Sequence, residues 1–329
     1  MDVGFALPQY DYSVPPSARL EWAEVVEWAR RAESLGFHSV WLADHLFLSI
    51  EKYGGPPGEH FGYEPLTGLA ALARAVPSLH LGTLVLCAQL RPPAVLAKNL
   101  ATLDRLAGGR LTVGIGAGWF EPEFAAAGVP FGRPPVRLRQ LAETVDVVKG
   151  MGAAPESFSY DGYHVRVEGA RNHPPPVTPG GPPVWVGGRG DRLLDVVARH
   201  ADGWNTVWAW DFDDYRQRLV ILERACIAAG RDPATVTRSV GLYALVGEDE
   251  GDLRRRFEHM ASAAPPGVLA RVGLDDWRRG RLVGTVAEVR EKVEAWAELG
   301  VTSLIVGLGA LPFSVTDAGD LELVAAAVI

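Results

Sequence analysis

The stretch Phe37-His38-Ser39-Val40-Trp41-Leu42-Ala43-Asp44-His45 decides the reading of this chain. Ser39 to Ala43 is apolar, partly β-branched and too short for a helix. Leu35-Gly36 precedes it, the pattern of a helix that ends on a glycine in the left-handed conformation. A buried strand entered from a helix points to a parallel α/β fold, where sites form at the C-terminal ends of strands. This strand ends in Asp44 and His45. A carboxylate beside an imidazole can orient the ring and set its tautomer for proton transfer. The alternative is local: Asp44 caps the next segment and His45 packs where it lies.

Working outward, the same pattern returns near the far end. Leu299-Gly300-Val301-Thr302-Ser303-Leu304-Ile305-Val306 again gives a helix end, a glycine and a buried strand. Apolar runs predict strands at 3–7, 39–43, 80–86, 111–115, 184–186, 203–206, 238–246 and 303–306. Helices are expected between them, the first running from about Ser17 to Leu35. Eight such βα units predict a (β/α)8 TIM barrel, an α/β fold, as a single domain over 1–329. Inserts near 46–63, 151–182 and 265–283 account for the excess over the usual barrel of about 250 residues. The middle insert reads as a hairpin around Asp161-Gly162, and the last as irregular.

Composition bounds the function. The chain has 329 residues, 48% apolar and 22% charged, enough for a sizeable core. Its net charge of −8 argues against nucleic acid as a partner. No apolar run reaches membrane-spanning length, so no membrane is expected. Only Cys87 and Cys226 are present, far apart, which fits a reducing compartment. The start Met-Asp-Val-Gly-Phe reads as a strand and not as a signal peptide, so the expected location is cytoplasmic. A small-molecule substrate is the expected partner, with a homodimer as the possible assembly.

Two glycine-rich loops could carry chemistry. Val113-Gly114-Ile115-Gly116-Ala117-Gly118-Trp119 lacks the third glycine of a dinucleotide fingerprint. It allows a flat ligand to approach the backbone, or it is simply a tight turn. Val186-Gly187-Gly188-Arg189-Gly190-Asp191 runs from a strand into a helix N-terminus, where free N–H groups and the helix dipole favour a phosphate. Arg189 could add donors, and Asp191 is expected as the N-cap. No metal-ligand spacing, strand-end lysine or G-x-S-x-G elbow is present. The basic cluster Arg278-Arg279-Gly280-Arg281 would cover a ligand's acidic part or be a solvated face.

These segments together resemble the bacterial luciferase-like monooxygenase superfamily. The resemblance rests on Trp41 to His45, Leu81 to Val85, Gly109 to Trp119, Pro183 to Gly190, Ala201 to Asn205 and Gly284-Thr285, in that order along the chain. The Asp-His strand end and the Gly-Ala-Gly-Trp loop are most similar to the branch that uses the deazaflavin coenzyme F420. The resemblance implies that Asp44 and His45 lie by the ring, with His45 catalytic and Asp44 orienting it. It implies a non-prolyl cis peptide at Leu84-Val85 backing the ring, with Cys87, Ala117 and Gly118 lining the cofactor. Gly187, Gly188, Arg189, Gly190 and Asp191 would meet the phosphate-bearing tail, and Trp119 and Trp41 would shape the substrate pocket. Sugar-phosphate dehydrogenases of the family carry Glu where this chain has Trp119, which argues against glucose-6-phosphate oxidation. The expected activity is hydride transfer between F420 and a small organic substrate. The alternatives are a monooxygenase using reduced FMN and a non-catalytic carrier of flavin or deazaflavin.

Overall fold

The computed structural model describes residues 1–15 and 19–329. The chain forms two compact units, each assembled from separate segments. One comprises Met1–Tyr63, Thr206–Gln217 and Arg238–Ile329; the other comprises Glu64–Asn205 and Arg218–Thr237. Eight main strands follow the order of the sequence reading: β1 Asp2–Ala6, β2 Ser39–Leu42, β3 His80–Thr83, β4 Leu111–Gly116, β5 Val184–Gly187, β6 Gly203–Trp208, β7 Thr237–Gly247 and β8 Ser303–Gly307.

In the first unit β1 lies between β8 and β2, all parallel, with Phe5 opposite both Val306 and Val40. β7 pairs with the other edge of β8, Leu242 opposite Val306. The strands are apolar in continuous runs because both faces are covered, as parallel sheets require. Phe5, Val40, Leu42, Leu304 and Val306 are fully buried. The first helix is Trp22–Ser34, so it begins later than expected; Ser17 lies outside the described residues. Glu21 and Glu24 close its start with a reciprocal capping box.

Two expectations need correction in this unit. The segment 46–63 is not all loop: Phe47–Leu48 pairs antiparallel with His60–Phe61 around a short 3-10 turn, Glu51–Tyr53. The segment 265–283 is not wholly irregular either. It holds a short helix, Leu274–Trp277, and runs into a strand, Leu282–Thr285, parallel to β7 with Val283 opposite Leu245. Four residues following an arginine cluster are too few to show a period. Thr285 then caps the helix Val286–Glu298 in a capping box with Glu288.

In the second unit β4 pairs with β3 and β5, and β5 pairs with β6, all parallel. The third predicted strand ran unbroken from His80 to Leu86. It stops at Thr83, and Leu86–Cys87 forms a separate short strand on β4. The predicted hairpin is present as Phe158–Asp161 against Arg166–Ala170. Its turn is held by the buried Glu143 carboxylate, which accepts from the N–H groups of Tyr163 at 3.0 Å and of His164 and Val165 at 2.8 Å. Buried Asp104 likewise pins the loop that follows, accepting from Val177 and Thr178.

Candidate functional site

The candidate residues of each unit follow the C-terminal ends of its own strands. In the first unit, the end of β2 is fixed by Gln9, which is 1% exposed. Its amide brackets Ala43: Nε2 donates to the Ala43 carbonyl at 2.7 Å, and the Ala43 N–H donates to Oε1 at 2.6 Å. Nε2 also donates to the Tyr63 carbonyl at 2.7 Å. Ser13 anchors Gln9 in turn, its hydroxyl accepting from the Gln9 and Tyr10 N–H groups and donating to the Phe313 carbonyl. The backbone that presents Asp44 and His45 is therefore held on both sides. Asp44 is buried, at 4% exposure, and His45 is half-buried. Trp41 is 2% exposed, lies over Gly4 and donates to the Ser39 hydroxyl at 2.8 Å, so it fills core volume.

In the second unit the Leu84–Val85 peptide is cis, as the resemblance implied. A second non-prolyl cis peptide, Val207–Trp208 in the first unit, was not anticipated. The Val85 side chain rests against three glycines of β4 and β5. A methyl group on Gly114 or Gly187 would meet Val85 Cγ1 at 2.9 Å, and one on Gly116 would meet Cγ2 at 3.0 Å. Larger residues at these positions would displace Val85. Beyond β4, Gly118 has φ +67°, and a Cβ there would strike Phe124 and Cys87 Sγ at 2.5 and 2.8 Å. Cys87 Sγ donates to Gln89 Oε1 at 3.4 Å, and Gln89 Nε2 donates to the Arg137 carbonyl at 3.0 Å. Arg137 completes the loop support, donating through Nε to the Ala117 carbonyl at 3.2 Å and through Nη1 to the Gly132 carbonyl. Its guanidinium lies 4.0 Å from the centre of the Phe131 ring. Trp119 is 48% exposed.

The loop after β5 leads into the helix Asp191–His200. The expected N-cap, Asp191, is instead the first helical residue, and Gly190 is the cap and offers no side-chain acceptor. Asp191 Oδ1 accepts from Arg218 at 2.5 Å, so its charge is paired beside the helix start. Gly188 is held from both directions: its N–H donates to the Asn205 carbonyl at 3.0 Å, and its carbonyl accepts from Trp204 Nε1 at 2.7 Å. A cavity of about 360 Å³ opens here, lined among others by Ala117, Arg137, Leu138, Gly190, Asp191 and Arg192. An uncapped helix start with two arginines beside a cavity receives an anion favourably. Arg189 and Gly190 are exposed next to it.

Sequence reasoning missed Gln9, Ser13, Arg137, Trp204 and Arg218, whose roles depend on residues far away in the chain. Only Trp204 lies in a quoted motif, Ala201 to Asn205, and nothing in that motif marks its bond to Gly188; the others had no local signal. Among the described residues no group of His, Cys, Asp or Glu could hold a metal ion, and no helix is long and apolar enough to cross a membrane.

These features define a (β/α)8-barrel protein whose candidate residues sit at strand ends. A profile described as luciferase-like monooxygenase matches residues 1–303, and the chain belongs to that family. Members of the family are oxidoreductases and monooxygenases. A phthiodiolone/phenolphthiodiolone dimycocerosates ketoreductase of Mycobacterium tuberculosis is 30% identical over 261 residues, 74% of this chain and 68% of the relative. An F420-dependent secondary alcohol dehydrogenase, solved with an F420-acetone adduct, matches with a TM-score of 0.77 at 20% identity, covering 98% of this chain and 97% of that one. A riboflavin lyase solved with modified FMN and riboflavin matches with a TM-score of 0.80 at 15% identity, covering 98% and 90%. The fold is the family's closed barrel of eight parallel strands surrounded by helices.

Proposed function

We propose that this chain is an F420-dependent oxidoreductase that moves a hydride between the deazaflavin and a small organic substrate carrying a ketone or alcohol. The observation that carries this reading is the Asp44–His45 pair on a strand end clamped by Gln9. The ketoreductase relative and the likeness to an F420-dependent alcohol dehydrogenase support the choice of chemistry.

The residues present fit a flat cofactor with a phosphate-bearing tail. Gly114, Gly116 and Gly187 leave Val85 without neighbouring side chains on the strands behind it. Gly190 leaves the first N–H groups of the helix Asp191–His200 without a side-chain cap, beside Arg137 and Arg192. Leu84, Val85, Cys87, Ala117 and Gly118 would hold the ring, and Gly187, Gly188, Arg189, Gly190 and Asp191 the tail. When bound, F420 supplies the hydride chemistry; the protein supplies orientation and protons.

His45 donates or accepts the proton at the substrate oxygen, since an imidazole does both near neutral pH. Asp44 orients that ring and fixes its tautomer. Trp119 would line the substrate pocket. Replacing His45 by Ala should lower turnover by about 10²–10⁴-fold while leaving cofactor affinity unchanged. Full turnover by that variant would end the assignment.

A second reading is a monooxygenase using reduced FMN, favoured by the likeness to the FMN-bearing lyase. Parallel titrations with F420 and FMN separate the two. The chain is expected to work as one domain over 1–329, in the cytoplasm, with a homodimer as the assembly.

A further inference from the structure

The segment after β7 in the first unit brings three arginines close together, and two of them are already neutralised. Arg278 is paired with Glu250 at 2.5 Å and Arg279 with Asp276 at 3.2 Å. Arg281 is different. It is half-buried, and among the described residues no carboxylate lies within ion-pair distance of it. Its guanidinium carbon stacks 4.1 Å from the centre of the Trp277 ring and 5.7 Å from that of Tyr243. Among the described residues its Nη1 donates to the carbonyls of Trp277 and Arg279 and to no other group. Burial lowers its tendency to hold a proton, and the Tyr243 hydroxyl beside it offsets that only in part.

The polar atoms around it are unsatisfied too. Arg281 Nε, Tyr243 Oη and Trp277 Nε1 are buried with no hydrogen-bond partner among the described residues. Tyr243 and Trp277 are each 5% exposed. A native protein rarely buries several donors without an acceptor, and each such case calls for an explanation. A buried unpaired guanidinium costs still more. Three groups able to donate, one of them cationic, with no carboxylate among them, suit an anion.

The surroundings indicate the rest of the guest. Tyr243 packs on Trp277 at 5.3 Å and on Trp208 at 5.4 Å between ring centres. Trp208 continues to Phe313 at 5.4 Å. These walls are aromatic and flat. One guanidinium and one neutral hydroxyl suit a single negative charge, and a planar carboxylate matches the guanidinium fork.

We propose that Arg281 and Tyr243, backed by Trp277, form a subsite for the carboxylate of a small substrate whose body is flat and apolar. Naming that guest the substrate rests on the oxidoreductase reading; the binding itself does not. A substrate of this kind would be an aromatic or unsaturated acid carrying the reducible group.

The test uses the full chain without added cofactor, and benzoate as the probe. Binding is followed by calorimetry and by quenching of tryptophan fluorescence. Benzoate should bind saturably, and benzamide, its neutral isostere, at least about tenfold more weakly. Arg281→Met should weaken benzoate by about tenfold or more and erase its preference over benzamide, and Tyr243→Phe should weaken it several-fold. Thermal melting of the same samples reports folding; should Arg281→Met not fold, the benzoate–benzamide comparison in the parent still decides. Equal binding of benzoate and benzamide, no saturable binding, or unchanged affinity in a folded Arg281→Met variant overturns the subsite. Tighter binding of phenyl phosphate than of benzoate overturns the assignment to a carboxylate. Failure of F420 to bind would defeat the oxidoreductase reading and leave these outcomes untouched.

Discussion

Gly190→Asp should separate stability from cofactor binding in opposite directions. Gly190 has φ −76° and ψ 146°, ordinary values for an N-cap, and a Cβ built there meets nothing within 4 Å. An aspartate can therefore enter without strain, accept from the first-turn N–H groups and sit favourably at the positive end of the helix dipole. Glycine is already a tolerable cap, so the capping gain is a few tenths of a kcal/mol, and the dipole adds about 0.3–1 kcal/mol. Nearby Asp191 is paired with Arg218, which limits repulsion between the two carboxylates. The same substitution fills the anion's place with a fixed negative charge. Losing one charged hydrogen bond costs the ligand about 1.5–3 kcal/mol, or roughly ten- to a hundredfold in affinity. The assay is thermal melting and titration with F420 on one preparation. Unchanged or raised melting temperature with much weaker binding is expected. A Gly190→Asp variant that melts like the parent and binds F420 equally well would show that the tail does not rest at this helix.

Other expectations follow from the geometry. Gln9→Leu leaves the Ala43 N–H and carbonyl buried without partners, costing about 2–6 kcal/mol, a drop in melting temperature of about 3–9 °C for a chain of 329 residues; a loss below about 1 kcal/mol would contradict the clamp. Gly187→Ala pushes against Val85 and should cost about 1–3 kcal/mol and weaken cofactor binding, read by melting and titration. Arg281→Met removes a half-buried charge that no carboxylate offsets, so its melting temperature should match or exceed the parent's. The Tyr160 hydroxyl is pushed up to about 12 by burial and by Asp146 beside it. An unfolded tyrosine ionises near pH 10, so stability is intact below about pH 10 and falls as pH rises toward 12. Tyr160→Phe should flatten that part of a melting-temperature profile.

Most of the strand order was legible because parallel strands buried on both faces must be continuous apolar runs, as Ser39–Leu42 and Ser303–Gly307 are. Glycine before a strand marked helix ends at Gly36 and Gly300, which do take positive φ. Short pieces were not legible. Leu282–Thr285 and Leu86–Cys87 are strands only because a neighbouring strand pairs with them. The N-cap at Asp191 was misplaced by one residue, since the motif Gly-Arg-Gly-Asp does not say which residue leaves the extended conformation first. Candidate residues at strand ends could be named from their motifs. The groups that hold them, such as Gln9 on Ala43 and Arg137 on Ala117, come from 20 to 34 residues away and leave no local trace.

The most direct test is anaerobic titration of the purified full chain with F420 and, separately, with FMN, followed by mixing the reduced complex with a panel of ketones. Tighter binding of F420, with oxidation of reduced F420 that requires the ketone and is lost in His45→Ala, is the expected result. Tighter binding of FMN, with substrate-dependent oxygen uptake and no reaction of F420, would contradict it.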